Sequence, residues 1–85
     1  MSHTVRGKRP LLARVRKIQG QFRALEQALE DERECGDILH LIAAARGATN
    51  GLMAEVLEDH LRAHVPNAES SAVDDLVGVV RSYLK

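Results

Sequence analysis

Four side chains in this 85-residue chain have the chemistry to hold a soft or borderline metal ion: His3, Cys35, His60 and His64. His60 and His64 are spaced i, i+4, so on a helix their rings lie one turn apart on one face and can share a metal. Alone, that pair is a weak signal, because two histidines on a half-exposed helix are more often ordinary surface residues. Cys35 falls in the first turn of the same predicted helix, where the helix dipole favours thiolate. It stands 25 residues before His60, roughly 37 Å along a straight helix, so one chain cannot bring the two together. Two copies of the helix packed antiparallel, crossing near residue 48, would place Cys35 of one level with His60 and His64 of the other. The sequence at that crossing, Ala43 to Gly51, is mostly small residues suited to close approach. A metal site is therefore expected between subunits, twice per dimer. His40 has no partner at ligand spacing and reads as surface.

The elements that must position these residues are helices, and the spacing predicts three. Leu11, Val15, Ile18, Phe22, Leu25 and Leu29 recur at 4-3-4-3-4, which places all six on one stripe of a first helix over about residues 10–30. Pro10 suits its first turn, and residues 1–9 are expected to form a loose arm. The second helix, about 35–65, follows Ile38, Ile42, Ala45, Thr49, Leu52 and Val56. It would be roughly 46 Å long, against about 30 Å for the diameter of a compact globule of this size. It must therefore break, at Gly47 or Gly51, or extend against another chain. A third helix, about 70–84, starts near Ser70 or Ser71, with Ser71 and Asp74 resembling a capping box. Its buried face is read as Val73, Leu76, Val77, Val80, Tyr83 and Leu84. The fold class is all-α, in a single helical domain.

Composition agrees. Apolar residues make up 45% of the chain, but only Phe22 and Tyr83 are aromatic. An aliphatic core this small needs a staple or a partner chain. One cysteine excludes an internal disulfide and suits a reducing cytosol. With no membrane span and no secretory signal in the sequence, the chain is expected to be cytoplasmic. The net charge is zero, yet residues 1–25 carry seven bases and no acid, while the rest holds 5 bases and 12 acids, so the two parts stand at +7 and −7. Such asymmetry marks a basic helix that faces a polyanion, or else an acid–base match within the fold or between subunits.

The stretch from Ile42 to Val56 (IAAARGATNGLMAEV), with Arg14, Val15, Lys17, Ile18, Gly20 and Gln21 upstream, resembles the CsoR/RcnR family of repressors over almost the whole chain. The resemblance implies three-helix protomers in a dimer of dimers that binds promoter DNA when metal-free and releases it with metal, most often to derepress an exporter. At the family's four ligand positions this chain reads His3, Cys35, His60 and His64, similar to the nickel/cobalt branch. One sulfur with several imidazoles suits Ni(II) or Co(II), with Zn(II) a third candidate, better than Cu(I), whose sensors place a second cysteine at His64. Trimming of Met1 would free the Ser2 amine as a further ligand. Formaldehyde-responsive repressors are the nearest alternative. They resemble this chain in the second helix and use a cysteine, here Cys35, with the N-terminal amine, but rely on an N-terminal proline where this chain has Ser2.

Arg14 and Lys17 resemble the family's DNA-contacting positions, and Arg16 flanks the same helix. Arg46, at the expected crossing, is read either as a DNA contact or as one half of an ion pair across the interface. Without a helix-turn-helix, phosphate contacts and shape readout of duplex DNA are expected. A cysteine–histidine enzyme would need an oxyanion hole and a cleft that nothing here supplies. A metal-storage module would share the ligands but would not need the basic helix.

Overall fold

A computed structural model describes residues 7–64 and 70–84, the side chains of His64 and Ser70 excepted. Three helices, α1 (Lys8–Glu30), α2 (Cys35–His64) and α3 (Ser70–Tyr83), make up an all-α fold. α1 begins two residues before the sequence-based boundary. Gly7 caps it through its carbonyl, which accepts the Leu11 N–H at 3.1 Å. The first four amides of a helix lack intrahelical acceptors, so Pro10 can sit inside this turn without starting it. Of the residues 1–9 expected as an arm, Lys8 and Arg9 are helical, and 1–6 lie outside the described residues.

α1 and α2 are joined by a tight C-terminal cap. The Arg33 N–H donates to the Ala28 carbonyl at 3.0 Å and the Glu32 N–H to that of Leu29 at 3.2 Å, while Glu32 takes φ 55. This is the Schellman pattern, with glutamate where glycine is usual. Glu34 then opens α2, its carbonyl accepting the Ile38 N–H at 3.2 Å, and Arg33 pairs with Asp37 at 3.0 Å.

α2 runs unbroken for 30 residues. Of the two alternatives left by its length, a break at Gly47 or Gly51 is therefore excluded. The chain is elongated, 53 × 26 × 11 Å with a radius of gyration of 16.2 Å, where a compact domain of this length would have about 12 Å.

α1 and α3 pack on two different flanks of α2, and the core between them is thin. Its buried residues are Leu11, Ala28, Ala45, Ala54, Val73 and Val77. Half are alanines, so burial within one chain contributes little apolar area. The expected stripes are only partly covered. Phe22 and Leu29 of α1 are 53% and 59% exposed, Ile42 of α2 45%, and Leu76 and Tyr83 of α3 47% and 84%. A single neighbouring helix covers one edge of such a stripe, and the residues on the other edge face outward. The capping box expected at Ser71 does not form either. Ser71 is already inside α3, and Asp74 accepts a hydrogen bond from Arg62 of α2.

Candidate metal centre and nucleic-acid interface

At 100° per residue, the unbroken helix fixes how the residues of α2 are arranged around its axis. Cys35 and His60, though at opposite ends, point within about 20° of each other. Leu39, Ile42, Arg46 and Met53 fall on the same stripe, each within about 40° of Cys35. The covering helices leave this stripe open: Cys35 and His60 are exposed, as are Leu39 (59%), Ile42 (45%) and Met53 (52%). Between Met53 and His60 lies an apolar trough lined also by Thr49, Leu52, Val56 and Leu57. Continuity of the helix puts the backbone of His64 one turn beyond His60, and its side chain lies outside the described residues, as do His3 and Ser2.

Among the described residues no three His, Cys, Asp or Glu side chains gather into a metal-binding group. The two described donors suit a borderline divalent ion in chemistry and exposure, but one chain presents them at opposite ends of a rod. The midpoint between them is Gly47–Ala48, within the small-residue stretch.

The opposite flank of α2 carries an ion-pair chain that the sequence did not reveal. Arg14 of α1 reaches across Gly51 to Glu55 (Nη2–Oε2 3.6 Å), and the same oxygen lies 3.9 Å from Arg81 of α3. Arg81 in turn donates to Glu58 at 3.1 Å, Glu58 accepts from Arg62 at 3.1 Å, and Arg62 donates to Asp74. Hydrogen bonds from Arg62 and then Arg81 hold the Glu58 carboxyl below the usual glutamate range. Bonding to Asp74 and Glu58 likewise raises the Arg62 guanidinium. The i, i+4 spacing of Glu58 and Arg62 was available to sequence reasoning, but the contacts between helices had no local signal.

The candidate DNA-binding side chains thus differ in state. Arg16, Lys17 and Arg46 are exposed and make no ion pair among the described residues. Arg14 alone of the four is engaged, with its side chain 48% exposed. Two further bases were missed as a group with Arg16. Arg9, Arg16 and Arg23 are spaced by seven and point within about 40° of one another on the outer face of α1. The first turn of α1 contains no acid, so its positive dipole end adds to Lys8 and Arg9.

A family model described as metal-sensitive transcriptional repressor matches residues 7–82. The chain belongs to this family, the CsoR/RcnR repressors. It is 46% identical over 90 residues to the transcriptional repressor RcnR of Salmonella paratyphi B, across the full length of both chains. It is 52% identical over 91 residues, again across both chains, to an uncharacterized protein in the bioA 5′ region of Serratia marcescens. The family consists of repressors and not enzymes, so this is a metal-responsive, DNA-binding regulator. None of its described helices is long and apolar enough to cross a membrane.

Proposed function

We propose that this repressor holds promoter DNA when metal-free and releases it on binding Ni(II) or Co(II), with derepression of a metal exporter as the outcome. The single observation that supports this reading is the open stripe of α2, which carries Cys35 and His60 at its two ends about the Gly47–Ala48 midpoint. Two copies crossing antiparallel there would put Cys35 of one chain beside His60 and His64 of the other. His3 and the Ser2 amine would bring the protein donors to five, leaving solvent for the sixth position of an octahedral Co(II), and Ni(II) would use a subset of the five. Zn(II), with its tetrahedral preference, would need only four of these donors. A bound metal supplies a fixed cross-link between the helix ends. The chain's own residues supply the donors, a cysteine sulfur at the helix N-terminus and imidazoles one turn apart. The same copies would bury Leu39, Ile42 and Met53, and pairing of such dimers through the remaining apolar edges would make the tetramer. Arg14, Arg16 and Lys17 of each chain would then face duplex phosphates, and Arg46 would lie near the crossing. Such a regulator acts in the cytoplasm, where the promoter is.

One experiment tests both site and signal. A promoter duplex selected by the metal-free protein from genomic fragments is followed by fluorescence anisotropy during titration with Ni(II), Co(II), Zn(II), or formaldehyde plus a strong chelator. Wild type should release with nickel or cobalt, while Cys35→Ala and His60→Ala/His64→Ala should each bind DNA and ignore metal. Co-assembling the two variants should restore a fraction of intact sites, seen as thiolate-to-Co(II) absorption. Release by aldehyde under chelator and none by metal would mean a formaldehyde sensor. Failure of verified mixed oligomers to regain that absorption would sink the two-chain site.

A further inference from the structure

Among the described residues, Arg14 is the only candidate DNA-binding cation that the fold already occupies. Its guanidinium reaches across Gly51, with Nη1 3.5 Å from where a Cβ there would sit, and ends 3.6 Å from Glu55. We propose that Glu55 is an internal competitor for Arg14, a positioning residue that sets how much of this cation the DNA can claim. The inference rests on the reading that Arg14 contacts phosphate.

Three observations support it. The pair is exposed enough to exchange, with side chains 48% and 34% accessible, and ion pairs so exposed are weak enough for a phosphate to displace. Glu55 does not belong to Arg14 alone, because Arg81 lies 3.9 Å from the same carboxylate oxygen. The closer Arg81 comes to Glu55, the less of its charge is left to hold Arg14. Arg81 is itself anchored to Glu58 at 3.1 Å, so the balance is set by how α3 docks on α2. Finally, Glu55 and His60 share one rigid helix, five residues apart. A displacement of that helix end carries both, so the hold on Arg14 can change when the candidate metal site does.

The test measures binding of the full-length, metal-free protein to a fluorescein-labelled duplex of mixed sequence as a function of salt, with circular dichroism to confirm folding. Glu55→Gln should tighten binding about twofold to fivefold per Arg14 engaged. It should also steepen the salt dependence, by up to about 0.9 in slope for each additional phosphate neutralised. Arg81→Gln should act in the opposite direction, leaving Glu55 to Arg14 alone. In an Arg14→Ala background both effects should shrink to the small change expected from one unit of net charge. If Arg14→Ala does not weaken binding at all, the DNA reading of Arg14 fails. If it does weaken binding but Glu55→Gln leaves affinity unchanged or lowers it, or acts equally with and without Arg14, the competitor role is overturned by itself. The Arg81→Gln sign decides the matter if Glu55→Gln does not fold.

Discussion

The two sides of α2 are built from the same helix and do different work. The covered flanks, on which Ala45 and Ala54 are buried about 180° apart around the axis, are laced to α1 and α3 by arginine–carboxylate pairs. The open side carries larger apolar groups, Leu39, Ile42 and Met53, between Cys35 and His60. A helix that buried its larger residues inside its own protomer would need nothing else. In this one the fully buried positions are alanines, so in the proposed assembly the apolar groups that would drive association and the candidate ligands share the outward stripe. Association and metal sensing would then be two aspects of one surface.

The strongest way to break this comparison is to charge the open side. Met53→Asp puts a carboxylate near the middle of the stripe, where it would be buried without a partner in the antiparallel assembly. Leaving a charge uncompensated at such a site costs about 3 kcal/mol or more, roughly 12 °C or more in Tm for a domain of this size. The expected outcome is a smaller species by sedimentation, with a lower and concentration-dependent Tm. At a true solvent face the same change would stay within about 0.5 kcal/mol. An unaltered sedimentation coefficient would show that the stripe is solvated.

Charge on the covered side is expected to matter less, and in a pH-dependent way. Glu58 accepts hydrogen bonds from Arg62 and Arg81, and its carboxyl lies below the usual glutamate range. A carboxyl depressed in the folded state contributes stability above its unfolded pKa, and that contribution is lost as pH falls through the folded value. Glu58→Gln should therefore destabilise by about 1–2 kcal/mol at neutral pH, the value for two charged hydrogen bonds discounted for partial exposure. Below the glutamate range, wild type and variant should converge in thermal melts. A constant difference at all pH values would mean that packing, and not charge, holds α3 at this position.

How much of this could be read beforehand follows from range. Three helices and the excessive length of α2 were legible because the 4-3-4-3-4 spacing is local. Cys35 and His60 could be placed at opposite ends for the same reason. Which edge of each stripe turns inward was not legible: Ala28, not Phe22 or Leu29, closes the core of α1, because that depends on where α2 crosses. Charge asymmetry identified the basic helix, but the acid that claims Arg14 sits 41 positions later, at Glu55. Asp74 looked like a capping residue because a local rule existed for it, and a nonlocal arginine took it instead. The buried Oε1 of Gln21, without a hydrogen-bond partner among the described residues, had no sequence signal either.

The smallest expected effect sharpens the comparison by acting on one side only. Glu32 adopts φ 55 in the turn that aligns α1 against the covered side of α2, and its amide and that of Arg33 satisfy the last carbonyls of α1. A non-glycine residue in this left-handed conformation is strained by contact between its Cβ and the backbone, whereas glycine adopts it freely. Glycine also gains freedom in the unfolded chain, which offsets part of the relief. The net expectation for Glu32→Gly is a stabilisation of about 0.5–1 kcal/mol, roughly 2–8 °C in Tm. Because the strain relieved lies within one chain's own cap, the change should move Tm equally at all protein concentrations and leave the sedimentation coefficient unchanged. Destabilisation would show that the Glu32 side chain makes an interaction stronger than its strain. A stabilisation seen only at high concentration would show that contacts between copies, and not the cap within one chain, set the conformation of this turn.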